Sequence, residues 1–235
     1  MKVINDLYDY ENYKIVQDSE AFKFSLDSIL LAEFVDKLNP TDKVLDICTG
    51  NAVVPLILSY YFQNEIVAFE IQEYIASLAQ ESIELNGLEN RINIINDDVK
   101  IISQYFPGNN FDVIVANPPY FKYKENSLIN ENENKAIARH EIYLDLENLF
   151  EIVKYALKEN VTFYLVHIHE RLEEILYLCE KYKIISKKIQ FIYTKDDNNA
   201  KLVLIKCIKN ANNSLKVCSP IFIYNYKSYK NIFRR

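Results

Sequence analysis

Membrane spans and export signals are both missing from this sequence. No apolar run approaches the roughly 20 residues that cross a bilayer, and residues 1–6 lack the basic start and apolar core of a signal peptide. Cysteines are few and far apart, with no Cys-x-x-Cys pair, which argues against a disulfide framework and a thiolate metal site; they are Cys48, Cys179, Cys207 and Cys218. We therefore expect a soluble, cytoplasmic protein with free thiols and no metal.

Basic charge is scarce overall but concentrated at one end of the chain. The 235 residues carry a net charge of −6, which by itself counts against a nucleic-acid partner. Residues 180–235, however, contain thirteen Lys and Arg against three acids, a net charge of +10, so residues 1–179 carry −16. Such asymmetry indicates that one end binds a polyanion. The alternative is that these lysines only cover the solvated faces of strands.

Short apolar runs rich in Val and Ile alternate with segments of helical period, an order typical of a parallel sheet wrapped by helices. Strands are predicted at 43–48, 65–70, 92–96, 111–116, 161–167, 188–194 and 202–209, and helices at 26–38, 53–62, 73–86, 145–157 and 170–182. The last two strands form an antiparallel hairpin, 220–224 adds an edge strand, and the polar stretch 122–134 is a loop. We expect one α/β domain over residues 1–235, a doubly wound, mostly parallel seven-stranded sheet with an N-terminal helical cap (1–40) and a basic C-terminal hairpin and tail (180–235).

Glycine is scarce as well: the chain has three, so each is expected where a side chain is not tolerated. Gly50 lies between a predicted strand and a predicted helix, where backbone amides can approach a ligand closely. Glu70, 20 residues later, ends the next strand, where a carboxylate can accept hydrogen bonds from two ribose hydroxyls. Together with Asp46 and Asp98, it forms a set of acids at successive strand ends, which converge on one crevice.

The motifs that are missing narrow the choice of ligand. The chain has no Gly-x-x-x-x-Gly-Lys-[Ser/Thr] loop for a triphosphate, and it lacks the second and third glycines of the Gly-x-Gly-x-x-Gly pattern for a pyrophosphate. An adenosine without phosphates fits better, and a cationic sulfonium tolerates an acidic pocket. These properties indicate S-adenosylmethionine as the cofactor.

The segment Asn117-Pro118-Pro119-Tyr120 follows the fourth predicted strand, which proline cannot continue. Two prolines fix an extended turn, so the Asn117 side-chain oxygen and a nearby backbone carbonyl can point at one amino group. A purine amine is a poor nucleophile because its lone pair is delocalised, and two acceptors favour a pyramidal nitrogen that can attack the sulfonium methyl group. Tyr120 offers a stacking face for a flipped base, worth about 1–3 kcal/mol. These four are the candidate catalytic residues.

These motifs resemble those of class I methyltransferases that act on planar amino groups. Along nearly its whole length the chain is similar to the bacterial tRNA1(Val) adenine-37 N6-methyltransferase family, in segments 22–32, 70–72, 117–122, 135–141 and 165–167. The resemblance implies a Rossmann-like methyltransferase fold and methylation of N6 of an adenine in tRNA. It also implies that the cap residues Phe24 and Asp27 sit over the cofactor, that Glu70 holds its ribose and that Asp98 faces its adenine. Cys48 and Ala52 stand where the family has further glycines, which predicts a lower cofactor affinity rather than a different reaction.

The expected binding residues form two groups. The cofactor group comprises Phe24, Asp27, Asp46, Cys48, Thr49, Gly50, Asn51, Glu70, Ile71, Asp98 and Asn117. The RNA group comprises Lys122, Lys124, Lys135, Arg139 and His140 near the site and Lys187, Lys188 and Lys201 on the basic hairpin. The aromatic residues after 220 either contact RNA or pack the final strand. We expect tRNA as the partner of a monomeric protein.

Other interpretations stay open at this point. His167 and His169 lie two residues apart, but no third ligand is near in sequence, so we expect no metal site. The motif at Asn117 also suits methylation of an rRNA or DNA base or of a glutamine amide in a protein. A chain with so few glycines is also compatible with a non-catalytic RNA-binding module, which would not bind S-adenosylmethionine.

Overall fold

A computed structural model describes residues 1–18, 26–121, 141, 143–194, 199–212 and 214–233. The strands are β1 (Lys2–Asp6), β2 (Lys14–Asp18), β3 (Val44–Ile47), β4 (Ile66–Phe69), β5 (Ile92–Ile95), β6 (Phe111–Ala116), β7 (Leu157–Ile168), β8 (Ile184–Tyr193), β9 (Leu202–Lys209), β10 (Lys216–Val217) and β11 (Ile221–Phe222). The α-helices are α1 (Leu26–Phe34), α2 (Val53–Tyr61), α3 (Glu73–Leu85), α4 (Leu146–Ala156) and α5 (Leu172–Tyr182). Short 3-10 turns lie at Val99–Gln104, His169–Arg171 and Ile223–Asn225. No helix in these ranges is long and apolar enough to cross a membrane.

The main sheet confirms the predicted fold class. Its strand order is β10-β8-β9-β7-β6-β3-β4-β5, and β11 also pairs with β8. Strands β3 to β7 pair in parallel, whereas β9 runs antiparallel to both β7 and β8. The parallel strands therefore all end on one side of the sheet, which we call the carboxyl edge; ligands bind there in open α/β sheets.

The core lies on both faces of this sheet because side chains alternate along each strand. In β6, Val113 and Val115 pack into the cluster that contains residues of α1, α2 and α3, whereas Ile114 and Ala116 pack into the cluster of α4 and α5. Full burial of a Val or Ile side chain contributes about 1.5–3 kcal/mol. Packing on both faces of the sheet fixes β6, and with it the position of segment 117–120, which follows this strand.

The N-terminal segment corrects the prediction of a helical cap over residues 1–40. Strands β1 and β2 form an antiparallel hairpin, with Lys2 opposite Asp18 and Asp6 opposite Lys14, so residues 2–18 are not helical. In the hairpin connection Tyr8 and Asn12 have positive φ angles of 46° and 68°. The hairpin buries Leu7, Tyr10 and Ile15 fully, so it packs as part of the core.

A buried carboxylate ties the C-terminal tail to this N-terminal region. Glu33 of α1 is fully buried and accepts hydrogen bonds from the Tyr10 hydroxyl (2.6 Å), the Tyr61 hydroxyl (2.6 Å) and the Asn231 amide (2.9 Å). Three donors offset the cost of removing the side chain from water. The hairpin, α1, α2 and the tail therefore meet at a single residue.

Candidate active site

A cleft with a volume of about 250 Å³ opens at the carboxyl edge of the sheet. Its walls come from the loops that follow β3, β4, β5 and β6, from the start of α1, and from Tyr143 and Leu144. Nine of the predicted cofactor residues line it: Asp27, Cys48, Thr49, Gly50, Asn51, Glu70, Ile71, Asp98 and Asn117. Asp46 is buried and does not line the cleft, and Phe24 lies outside the described residues.

The loop between β3 and α2 has an unusual backbone. Cys48, Gly50 and Ala52 have φ angles of 62°, 56° and 63°, in the left-handed region that favours glycine. A side chain on Gly50 would meet open space, so the backbone conformation rather than crowding calls for glycine there. Cys48 and Ala52, where the resemblance led us to expect glycine, take a glycine-like φ in this chain at a cost in backbone strain.

Glu70 connects this loop to the start of α3. One carboxylate oxygen accepts the Gly50 amide and the other accepts the Gln72 amide, each at 3.0 Å. Burial raises the pKa of Glu70, although the bonds from Gln72 and Gly50 oppose this effect. Each oxygen has a second lone pair, so the side chain keeps capacity to accept hydrogen bonds from a ligand in the cleft.

The predicted catalytic segment meets the start of α1. The Asn117 Nδ2 donates to Ser28 Oγ (2.9 Å), and the Tyr120 hydroxyl lies 2.7 Å from Asp27 Oδ2 and 2.8 Å from Asn117 Oδ1. Burial, with the charge of Asp27, raises the pKa of Tyr120 well above its usual range, so the hydroxyl keeps its single proton. One proton serves one acceptor at a time. When Tyr120 donates to Asp27, the Asn117 oxygen can therefore accept from another donor.

A buried arginine that the sequence analysis did not single out supports this segment from behind. Arg171 Nη1 donates to the Tyr120 carbonyl (3.2 Å), and Arg171 Nη2 pairs with Glu141 (3.1 Å) and Glu174 (2.9 Å). The Glu141 amide in turn donates to the Phe121 carbonyl (2.8 Å). Arg171 thus contacts Tyr120 and Glu141, which lie on either side of segment 122–140 in the sequence. The only sequence signal for it is the Arg171–Glu174 spacing of i, i+3 at a helix start.

His167 lies behind Tyr120 in the same region. Its ring centroid is 5.0 Å from that of Tyr120, and its Nδ1 accepts the Ile168 amide (2.9 Å). Burial, with the charge of Arg171, lowers the pKa of His167 to about 4, so the ring is neutral at neutral pH. Across the described ranges, no three His, Cys, Asp or Glu side chains come together in a group that could hold a metal ion.

The structure separates the predicted RNA contacts. Lys122, Lys124, Lys135, Arg139 and His140 lie outside the described residues. Lys187 donates to the Asn212 carbonyl (2.8 Å) and to Ser214, and Lys188 lies 4.6 Å from the ring centroid of Phe34. Lys201 is exposed at the start of β9, on the carboxyl edge. The three lysines are therefore not one cluster, and only Lys201 lies on the same edge as the cleft.

Comparisons with known proteins identify the family of this chain. The family described as methyltransferase small domain matches residues 18–166. The tRNA1(Val) (adenine(37)-N6)-methyltransferase of Bacteroides thetaiotaomicron is 28% identical over 235 residues, covering 98% of this chain and 96% of the relative. The enzyme of the same description from Haemophilus influenzae is 33% identical over 135 residues, 57% of this chain and 56% of the relative.

Solved structures agree on the fold. The tRNA m1G37 methyltransferase of M. jannaschii superposes with a TM-score of 0.61 at 15% identity, covering 90% of this chain and 57% of that one. A structure described as a predicted O-methyltransferase from Agrobacterium tumefaciens gives a TM-score of 0.69 at 16% identity, covering 89% and 94%. The matches confirm the resemblance noted in the sequence, and the chain belongs to the methyltransferase small domain family.

Proposed function

We propose that the protein transfers the methyl group of S-adenosylmethionine to N6 of an adenine in tRNA, with adenine 37 of tRNA(Val) as the target. The observation that carries the proposal is the placement of Asn117 and Tyr120 in the cleft that Gly50 and Glu70 also line. The description of the relative that covers 98% of this chain supports the choice of substrate.

The residues of the cleft fit the proposed cofactor. Four acids, Asp27, Glu70, Asp97 and Asp98, line it, and they would stabilise a cation. The Tyr105 hydroxyl lowers the pKa of Asp97, so that residue stays ionised at neutral pH. Glu70 would accept hydrogen bonds from the ribose, as its remaining lone pairs allow. When bound, S-adenosylmethionine supplies an electrophilic methyl group on a positively charged sulfur.

The catalytic segment would orient the adenine. Asn117 Oδ1 and a backbone carbonyl of the Pro118–Pro119 turn would accept the two hydrogens of the amino group, which frees its lone pair to attack the methyl carbon. The proton displaced from the methylated amine passes to solvent, so no strong base is needed. Tyr120 would provide the stacking face, with its hydroxyl held at Asp27 and its carbonyl held by Arg171.

The basic C-terminal part of the chain would offset the acidity of the cleft. A negatively lined cleft repels a phosphate backbone, so the RNA needs positive charge beside the site. The net charge of +10 over residues 180–235 supports such a surface, and Lys201 lies on the edge of the sheet at which the cleft opens. We assign phosphate contacts to Lys187, Lys188 and Lys201, and to the five basic residues of segment 122–140 singled out above.

The test is methyl transfer from labelled S-adenosylmethionine to unmodified tRNA transcripts, followed by mass spectrometry of the digested nucleosides. We expect label as N6-methyladenosine in the tRNA(Val) transcript and none in a matched transcript with guanine in place of adenine 37. Calorimetry with the cofactor separates the other outcomes. Cofactor binding without label in any transcript would contradict the tRNA substrate and favour an rRNA, DNA or glutamine acceptor, whereas absence of binding would favour a non-catalytic module.

A further inference from the structure

The aromatic residues of the C-terminal tail divide into two groups with different surroundings. Tyr226, Tyr229 and Phe233 pack against the core cluster of α1, and Phe233 lies 5.4 Å from Phe34 between ring centroids. Phe222 and Tyr224 instead form a second group with Tyr193 from the end of β8. The ring centroids are 5.0 Å apart for Tyr193 and Phe222 and 6.0 Å apart for Phe222 and Tyr224.

This second group, Tyr193, Phe222 and Tyr224, is the aromatic row. Its side chains are half-buried at the first two positions, and Tyr224 is 48% exposed. Phe222 is opposite Tyr193 in the parallel pairing of β11 with β8, and this pairing fixes the arrangement. A single exposed tyrosine is normal on a protein surface and needs no explanation. Three adjoining rings with an exposed end form a larger apolar patch, and such patches mark interaction sites.

The aromatic row lies on the same edge as the cleft. Strand β8 is antiparallel to β9, which is antiparallel to β7, so β8 runs parallel to β7 and ends at the carboxyl edge. Asn117 follows β6, and the strand order places β8 three strands away from it. At a spacing of about 4.8 Å between strands, the row starts about 14 Å to the side of Asn117.

The aromatic row belongs to the basic C-terminal part of the chain, residues 180–235. Lys201 adjoins it, because its amide donates to the carbonyl of Ile192, the residue before Tyr193 (2.8 Å). The surrounding stretch 180–235 carries +10. Proteins that bind unpaired nucleotides combine positive charge for the backbone with aromatic rings on which bases stack.

We infer that the aromatic row stacks an unpaired base of the tRNA substrate, at a second position beside the methylated adenine. This inference rests on the proposed function for the identity of the RNA. It assigns Tyr224 a task in holding the substrate and none in the chemistry. A stack on one base is worth about 1–3 kcal/mol, which corresponds to a five- to 150-fold change in affinity.

Fluorescence gives a direct test, because the chain contains no tryptophan. Tyr224→Trp introduces a single indole into the row, and Tyr177→Trp does the same at a 65% exposed tyrosine of α5 as a matched control. We expect the tRNA(Val) transcript to quench the first variant and to leave the second unchanged. Heparin, a polyanion without bases, should quench neither. Equal quenching of the two variants by tRNA, or quenching by heparin, would overturn the inference.

Kinetics give a second, independent readout. Tyr224→Ala should raise the KM for tRNA about five- to 150-fold with kcat preserved, Tyr224→Trp should restore it, and Tyr177→Ala should behave as wild type. A KM for Tyr224→Ala equal to that of active wild-type protein would refute the role of the row. If the wild-type protein does not methylate tRNA at all, the proposed function is refuted instead. The quenching titration, which needs only binding, would still decide the inference about the aromatic row.

Discussion

The loop between β3 and α2 allows a quantitative prediction about backbone strain. Ala52 is fully buried with a φ of 63°, a region in which a Cβ atom costs about 1–2 kcal/mol. Ala52→Gly removes this cost, but it also removes a buried methyl group worth about 0.8 kcal/mol and adds a glycine entropy cost of about 0.5–1 kcal/mol. The opposing contributions nearly cancel. We expect the free energy of unfolding to change by less than about 1 kcal/mol.

Ala79 provides the matched control. It is also fully buried, but it lies inside α3, where a glycine gains nothing from its freedom at positive φ. Ala79→Gly should lower the free energy of unfolding by about 2 kcal/mol, from the lost methyl group and the poor helix propensity of glycine. Urea titration followed by circular dichroism measures both variants. Equal losses would show that the backbone at Ala52 stores no strain, and would refute the reasoning.

The same variant tests what the loop means for cofactor binding. If alanine already holds the glycine-like backbone, Ala52→Gly should leave the affinity for S-adenosylmethionine within about threefold of wild type. Calorimetry measures this directly. A large gain in affinity would show instead that the alanine distorts the loop.

Four further predictions concern residues that line the cleft or lie behind it. Asn117→Ala should abolish methyl transfer while calorimetry finds the cofactor affinity within a few-fold of wild type; equal loss of both would contradict its assigned role. Glu70→Gln should weaken cofactor binding by about 1.5–3 kcal/mol through loss of charge-assisted hydrogen bonds, whereas Glu73→Gln, at an exposed position, should not. Arg171→Met should lower the free energy of unfolding by about 3–5 kcal/mol because buried Glu141 loses its partner. The loss should be smaller in a Glu141→Gln background, and additive effects of the two substitutions would contradict an interaction between Arg171 and Glu141. Burial raises the pKa of Asp46 to about 7, so ionisation of this side chain destabilises the fold as pH rises from about 4 towards 7. In urea titrations between pH 5 and 8, Asp46→Asn should therefore gain stability relative to wild type as pH rises. A difference in unfolding free energy that stays constant over this range would argue against the shift.

Most of the strands and helices could be predicted from the pattern of apolar residues along the sequence. Strand β6 has the predicted bounds, 111–116, because a buried apolar run ends at a proline pair that cannot continue the sheet. The same reasoning located Glu70 and Asp98, since acids that directly follow buried strands must lie at the carboxyl edge. For these residues, position along the chain was enough to place them in space.

The parts that escaped prediction depend on contacts between distant segments. The N-terminal hairpin is short, and β1 is largely exposed, so it gives no periodic signal; it is stabilised by Leu7, Tyr10 and Ile15 reaching a core formed by later residues. Arg171 was missed for the same reason. Its importance comes from Tyr120, 51 residues away, and from Glu141, neither of which is its neighbour in sequence.

Net charge is a poor guide to what the individual lysines of the basic C-terminal part do. Lys209 is buried and donates to Asn109 and to the Lys154 and Leu157 carbonyls, and Lys206 pairs with Asp36, so part of the positive charge serves the fold. Yet Lys188 lies opposite Lys206 on β9 and Lys216 on β10, and like charges at facing positions of a sheet destabilise it. The fold itself offsets part of this repulsion, because Asp36 pairs with Lys206 and the Lys188 ammonium lies 4.6 Å from the Phe34 ring centroid. Local pairing, which a net charge does not report, therefore decides how many of these lysines remain to bind a polyanion.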